Sequence, residues 1–327
     1  MFELEQADVD RMRDELFFEG EARSKKLTKF WTLLILSAFI AGAGVVSDST
    51  ATVIGAMIVA PLMTPILGVV LGIVLTDRRN LARSLLLVLA GALVVIAIGF
   101  LLGLAVPYGI TAENNSQVAG RISPRVMDLV AALATGAVGS VALARSDISD
   151  TLPGVAIAIS LVPPLSVVGL TLEAGAFTQA RGALLLFGTN VVAILASGVV
   201  VMALYRVHLH AAARESRRRD SRKGAIAAIA VLVVLVAIPL SFTSREISKA
   251  NLEVAEVHSV LDPWARHTGW TVLSVAPVRG GVLVRVSGPL PEPSIATLHG
   301  QLEAKGLGSN HVTLQLVPAR TITLTGS

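Results

Sequence analysis

The sequence predicts an all-α polytopic membrane protein of seven transmembrane helices, six of them in two inverted three-helix repeats, followed by a small α+β C-terminal domain. Three observations carry this reading. Hydrophobic residues make up 53% of the 327 and charged residues only 15%, against roughly 25% charged in soluble domains. The charges concentrate before Phe30, near Arg78 and Arg218, and after Ser244, leaving long uncharged runs between. The polar and proline residues of one apolar stretch also return, in the same order, in a second.

Residues 1–29 form a cytoplasmic N-terminal segment. Phe2, Leu4, Val9, Met12, Leu16 and Phe17 recur loosely at helical spacing among Arg11, Arg13, Asp14 and Glu15. A helix lying on the membrane surface and a solvated lead-in are both open. This charged lead does not read as a signal peptide, so the first apolar run stays as an anchor. The transmembrane domain spans 30–242. Its apolar segments lie at 30–46, 51–75, 81–106, 126–143, 153–172, 181–205 and 225–242, each near the roughly 17–25 residues that cross the hydrocarbon. The segments 51–75 and 153–172 contain internal prolines, which free backbone carbonyls that some other group must satisfy.

Orientation follows from Lys and Arg in the short loops. Arg23, Lys25, Lys26 and Lys29 precede the first span, and Arg78, Arg79 and Arg83 separate the second from the third. Arg145 follows the fourth, and Arg206, Arg214, Arg217, Arg218, Arg219, Arg222 and Lys223 follow the sixth. The alternate loops, 47–50, 107–125 and 173–180, hold only Arg121 and Arg125. The N-terminus is thus cytoplasmic and the domain 243–327 extracytoplasmic. In that domain 243–267 reads as a linker helix. Trp270 to Ala276 and Gly281 to Val286 read as strands across the turn Arg279-Gly280-Gly281. A helix runs from Pro291-Glu292-Pro293-Ser294 to Lys305, where Gly306 caps it, and Val312, Leu314 and Leu316 mark a last strand.

The repeat pairs 30–106 with 126–205 and leaves 225–242 as an extra helix. Asp48-Ser49-Thr50-Ala51-Thr52 aligns with Asp147-Ile148-Ser149-Asp150-Thr151, Gly55 with Gly154, Leu62 with Leu161, and Pro65 with Pro164. After a one-residue slip, Ala82-Arg83 meets Ala180-Arg181. Three spans per unit make the second copy enter the bilayer from the opposite side, an architecture of secondary transporters whose sites lie between interrupted helices.

The candidate pathway residues follow from that architecture. Asp48, Ser49, Thr52, Asp147, Asp150 and Thr151 open the second and fifth spans, either binding a cation or gating a path, or capping helix ends. Pro61, Thr64 and Pro65, with Ser160, Pro163 and Pro164, lie mid-span, presenting unwound backbone to a solute or kinking helices for packing. Asn190, beside Thr189, either contacts a substrate or bonds a neighbouring helix. Gly68, Gly72, Gly99 and Gly103 permit close helix packing.

The six histidines lack metal-ligand spacing. The chain has no cysteine, and no P-loop or nucleophile elbow. No cofactor, metal or enzymatic activity is expected. The net charge of +4 belongs to loops flanking apolar runs, not to an aromatic-laced nucleic-acid face.

The run Ser24-Lys25-Lys26-Leu27-Thr28-Lys29-Phe30-Trp31, then Asp48 to Met63 and Gly154 to Leu165, resembles the prokaryotic uncharacterised hydrophobic domain family, domain of unknown function 389. The resemblance covers about residues 20–205 and implies a prokaryotic cell-membrane protein, with no substrate or catalytic residue to carry over. The function expected is passage of a small solute or ion at the repeat interface, as transporter or channel. The rival is a non-transporting scaffold or sensor whose external domain binds a partner. Partners are the lipid bilayer, the solute and other copies of the chain in a homo-oligomer.

Overall fold

The computed structural model describes residues 6–145, 161–207, 256–278, 281–291, 293–304 and 311–318. The chain divides into two compact units, Met1–Leu240 and Ser241–Ser327. The anticipated seventh span at 225–242 lies outside the described residues, as do Asp147, Asp150, Thr151 and Ser160.

The described elements of the first unit are helices: α1 (Gln6–Leu16), α2 (Arg23–Val46), α3 (Thr50–Val59), α4 (Met63–Val74), α5 (Arg78–Leu104), α6 (Ser116–Ala119), α7 (Val126–Ala144), α8 (Val162–Glu173) and α9 (Phe177–Leu204). Among the described residues four helices, α2, α5, α7 and α9, are long and apolar enough to cross a membrane, and α3 with α4 makes a fifth candidate bent by 46°. Their outer faces carry Ile35, Leu36, Leu86, Leu89, Leu93, Leu101, Met127 and Leu204, all exposed. Such a belt of bare apolar surface demands lipid, so this is a multi-pass membrane protein.

The bend is written in the sequence. Pro61 follows Ala60, and a residue before proline is driven out of the helical region. Ala60 sits at φ −67°, ψ 125°, and the helix restarts at Met63. At 1.5 Å per residue α3 and α4 measure about 15 and 18 Å, and with a bend of this size they advance together about 30 Å, the hydrocarbon thickness. The pair thus has the length of one span, broken between Val59 and Met63.

Two ends of the bundle are defined by hydrogen bonds. At one, α1 grips the junction after α4: Arg13 pairs with Asp77 at 3.3 Å, Asn80 donates to Glu19 at 3.0 Å, and Arg11 donates to the Leu143 carbonyl at the end of α7. At the other, Asn115 donates to the Val45 carbonyl at 2.7 Å, Ser116 to Asp48 at 2.8 Å, and the Ala112 amide to Gln179 at 2.9 Å. The three loops poor in Lys and Arg therefore gather at one end. The N-terminal segment carries the helix α1, and its apolar side is spent on the bundle: α1 packs on α4 and α7, and Met12 and Phe17 are fully buried in the core.

The second unit pairs β1 (Thr271–Val278) antiparallel with β2 (Gly281–Gly288), and β2 parallel with β3 (His311–Pro318). A parallel pair needs a crossover, which α11 (Ala296–Ala304) supplies. Val282, Val284 and Val286 of the central strand bury their alternate face with Val257, Leu261 and Trp264 of the helix α10 (256–268) and with Leu298 and Leu302 of α11.

Candidate functional site

The site is built on two short helices that begin inside the bundle. α4 and α8 are each 12 residues long and start 99 residues apart, at Met63 and Val162. Neither N-terminus has a side-chain cap, and Leu62, Met63 and Ile66 share one apolar core with Leu161, Val162 and Leu165. An uncapped helix start leaves orphan amides, which lipid and apolar side chains cannot satisfy. Proline answers part of this. Pro163 and Pro164 occupy the second and third positions of α8, and Pro65 the third of α4, so the groups most exposed to desolvation carry no N–H. In α4 the helix restarts after Pro61 with Pro65 in its first turn, and in α8 Pro163 and Pro164 lie in the first turn of the described helix. Thr64, half-buried in the first turn of α4, accompanies them.

The two half-helices end alike. After α4 the Leu75, Thr76 and Asp77 amides donate to Leu71, Ile73 and Gly72, and after α8 the Ala174, Gly175 and Ala176 amides donate to Leu170, Leu172 and Thr171. Each is a Schellman turn with a left-handed residue at its centre, Thr76 (φ 59°) or Gly175 (φ 71°). The following helices α5 and α9 start at Arg78 and Phe177, keeping the 99-residue spacing. The one-residue slip read from Ala82-Arg83 and Ala180-Arg181 is therefore absent. Glycines 99 residues apart on α5 and α9 pack on α8 and α4. A Cβ on Gly99 of α5 meets the Ser166 carbonyl at 2.6 Å and Gly169 Cα at 3.3 Å on α8, whereas one on Gly198 of α9 meets Val70 of α4 at 3.1 Å.

One matching position breaks the likeness. Gly91 of α5 is closed over by Leu34, Leu62 and Phe30, but its partner by spacing on α9 is Asn190. Beside it lies a cavity of about 220 Å³ lined by Gly120, Arg121, Asp128, Leu186 and Asn190. Asn190 is 2% exposed, and its Oδ1 has no hydrogen-bond partner. Arg121 spends Nη1 on the Gln117 carbonyl and Oε1, at 2.8 and 2.9 Å, while its buried Nε has none. Burial depresses the Arg121 guanidinium below its ordinary value, and the Asp128 charge partly restores it. Asp128, in the first turn of α7, accepts the Arg125 amide at 2.9 Å. Gln117 in turn donates to Thr50 at 2.8 Å, and its amide to Asp48 at 3.0 Å.

This network settles where the sequence-chosen residues sit. Asp48 caps no helix of its own: it is the left-handed residue (φ 52°) after α2, and its carboxylate holds Ser116 and Gln117. Those two bonds, the Ser116 hydroxyl foremost, lower its pKa. Ser49 is the N-cap of α3, accepting from the Thr52 amide, and its hydroxyl lies 2.9 Å from that of Thr52. Asn190 is the one sequence-chosen residue on the cavity. Read from the sequence, Arg121 is only a loop charge, and Gln117 and Asp128 carry no signal of their own. The signal that identifies them is the i, i+4 pairing of Gln117 with Arg121 ahead of an acidic first turn.

Comparison with known proteins agrees with this membrane unit. Residues 57–196 match the family model described as Domain of unknown function (DUF389). The chain is also 32% identical over 234 residues to Uncharacterized protein MJ0678 of Methanocaldococcus jannaschii, covering 71% of each chain. The chain belongs to this family. The matched span runs from within α3 to within α9, so it includes both half-helices and every cavity residue and leaves out α1 and the three-stranded module. No solved structure matches the chain.

Proposed function

We propose that the protein is a membrane transporter or channel for a small solute or ion, with its pathway at the interface of two inverted three-helix repeats. The observation that carries this reading is the pair of buried, uncapped half-helices α4 and α8, spaced 99 residues apart and ended by the same turn. Interrupted helices at matching positions of two halves are the architecture in which transporters bind at mid-membrane. The reciprocal glycine contacts of α5 on α8 and α9 on α4 support the same pairing. Three crossings per unit invert the second copy.

The reading includes an orientation. The end holding α1, Arg78, Arg79, Arg83 and Arg145 is cytoplasmic by the positive-inside rule, which puts the cavity on the outer side and, through the span expected at 225–242, the three-stranded module outside. It also includes a homo-oligomer in a prokaryotic cell membrane. Gly68, Gly72, Gly99 and Gly103 meet atoms of their own chain, so the surface for that contact is the bare apolar face of α3 at Ile54, Ile58 and Val59. The protein performs no chemistry on its solute.

Flux into liposomes tests the proposal. Purified protein is reconstituted and offered a panel of labelled small solutes: an amino acid, a monocarboxylate, an amine, a polyol and an alkali cation. Entry of at least one of them above protein-free vesicles, lost in Asn190→Leu, is the expected result. No flux of any of them, from protein shown to be folded, favours the scaffold or sensor reading.

A further inference from the structure

We infer that the cavity between the 120–121 loop, α7 and α9 binds a small zwitterion carrying one carboxylate and one ammonium group, such as a short-chain amino acid. This deepens the transport reading and rests on it only for where the solute goes next.

The argument begins with what the cavity wall leaves unpaired. Arg121 Nε is a buried donor and Asn190 Oδ1 a buried acceptor, and neither has a partner among the described residues. A buried polar group without a partner is costly, and native structures tolerate it where a ligand completes the site. Arg121 and Asn190 line one space with Asp128. Arg121 and Asp128 form no ion pair within 4 Å, since neither appears among the salt bridges of the described residues. Their charges act on each other across this space, but neither is spent on a direct bond to the other.

The wall thus offers one cation, one anion and one neutral amide. A lone anion meets Arg121 but is repelled by Asp128, and a lone cation meets the converse. A solute bearing both charges satisfies both: its carboxylate takes the Arg121 Nε–H, in the charge-assisted bond guanidinium forms best. Its ammonium faces Asp128 and donates to Asn190 Oδ1. A volume of about 220 Å³ has room for a small solute. Leu186 supplies one apolar wall and Gly120 no side chain at all, which suits a short side chain. The guanidinium is held in place beforehand, because its Nη1 is anchored twice on Gln117, and Gln117 is anchored on Thr50 and Asp48.

The test is thermal unfolding of the full chain in detergent micelles with glycine, alanine or serine, against propionate (carboxylate only) and ethylamine (ammonium only) at equal millimolar concentration. The amino acids raise the midpoint, as a ligand that binds only the folded state must, and the two half-analogues do not. Arg121→Gln weakens the apparent affinity for alanine about tenfold or more, consistent with loss of a charge-assisted bond. Asp128→Asn removes the repulsion of a lone anion, so that propionate stabilises it as well as alanine does. This gain of a new ligand is a readout that a folding defect cannot mimic. Propionate matching alanine in the unaltered protein overturns the proposal in favour of an anion site. No shift with any amino acid, or an undiminished alanine shift in Arg121→Gln, also overturns it. A midpoint shift without flux leaves this inference standing and removes the transport reading. Flux of another solute with no amino-acid shift does the reverse.

Discussion

Replacing Gly169 by alanine gives the sharpest test of how α5 and α8 interlock. A Cβ there lies 2.2 Å from the Ile96 carbonyl oxygen, 2.5 Å from the Phe100 amide nitrogen and 2.8 Å from the Gly99 carbonyl carbon. Ordinary contact begins near 3.4 Å, so α5 must retreat by about 1.2 Å, and helix backbone has no rotamer to escape into. Overpacking a tight interior costs roughly 1–3 kcal/mol, occasionally more, and a clash with backbone belongs at the upper end. Alanine also gains about 1 kcal/mol over glycine inside a helix. The net expectation is a loss of about 2 kcal/mol, or about thirtyfold in the unfolding equilibrium. Gly188→Ala on α9, where nothing lies within 4 Å, keeps only the propensity gain. Gly198→Ala falls between them, because its Cβ meets side chains, the Ser140 hydroxyl at 2.9 Å and the Val70 methyls. Reversible denaturant unfolding in micelles measures all three. A Gly169→Ala protein as stable as Gly188→Ala refutes the close backbone crossing of α5 on α8, and with it the reciprocal packing.

Three further outcomes follow from the same geometry. Gly175→Ala destabilises by about 1 kcal/mol although nothing lies within 4 Å, since its φ of 71° is left-handed; Gly175→Asn recovers part of the loss in the same unfolding assay. Asp77 is partly buried, which raises its pKa, but the Asn80 amide and side chain and then Arg13 outweigh this and lower it. A depressed folded pKa contributes stability above the ordinary carboxylate value that is lost as pH falls below about 4, so the midpoint drop between pH 5 and pH 3 is smaller in Asp77→Asn. Asn190→Leu removes an unpaired buried acceptor and fills space beside it, so its thermal midpoint equals or exceeds that of the unaltered chain while solute binding is lost.

Much of the membrane unit was legible in its apolar runs, and the residues show why the rest was not. The broken second span announces itself through Pro61, because Ala60 before it cannot stay helical. The start of α2 is hidden: the helix begins at Arg23, not Phe30, since Lys25, Lys26 and Lys29 belong to its first turns and long basic side chains reach water from a helix end. The burial of α1 is equally hidden, because Met12 and Phe17 look the same facing lipid or facing α4. In the second unit, alternation in Gly281 to Val286 and at Val312, Leu314 and Leu316 locates the strands, and their strand–helix–strand order reads as a βαβ-like module, in line with the parallel pairing of β2 with β3. The cavity needed three dimensions. Arg121 and Asp128 belong to a loop and a first turn whose charges serve orientation when read one at a time. Only the fold sets them against Asn190, and only the 99-residue spacing shows that α5 has Gly91 and packed side chains at the matching place.

The central claim is a water-accessible path at the repeat interface, and cysteine accessibility tests it most directly. The chain has no native cysteine, so single cysteines at Thr64, Ser166 and Asn190 can be probed with a membrane-impermeant thiol reagent from either side of sealed vesicles. Ser123 serves as an exposed loop control and Leu93, 68% exposed on the apolar belt, as a lipid-facing one. Labelling of Asn190 from the loop side, and of Thr64 or Ser166 from at least one side, with Leu93 silent, is the predicted pattern. If the three buried positions stay unreactive from both sides while Ser123 labels fully, no aqueous path exists there and the account is wrong.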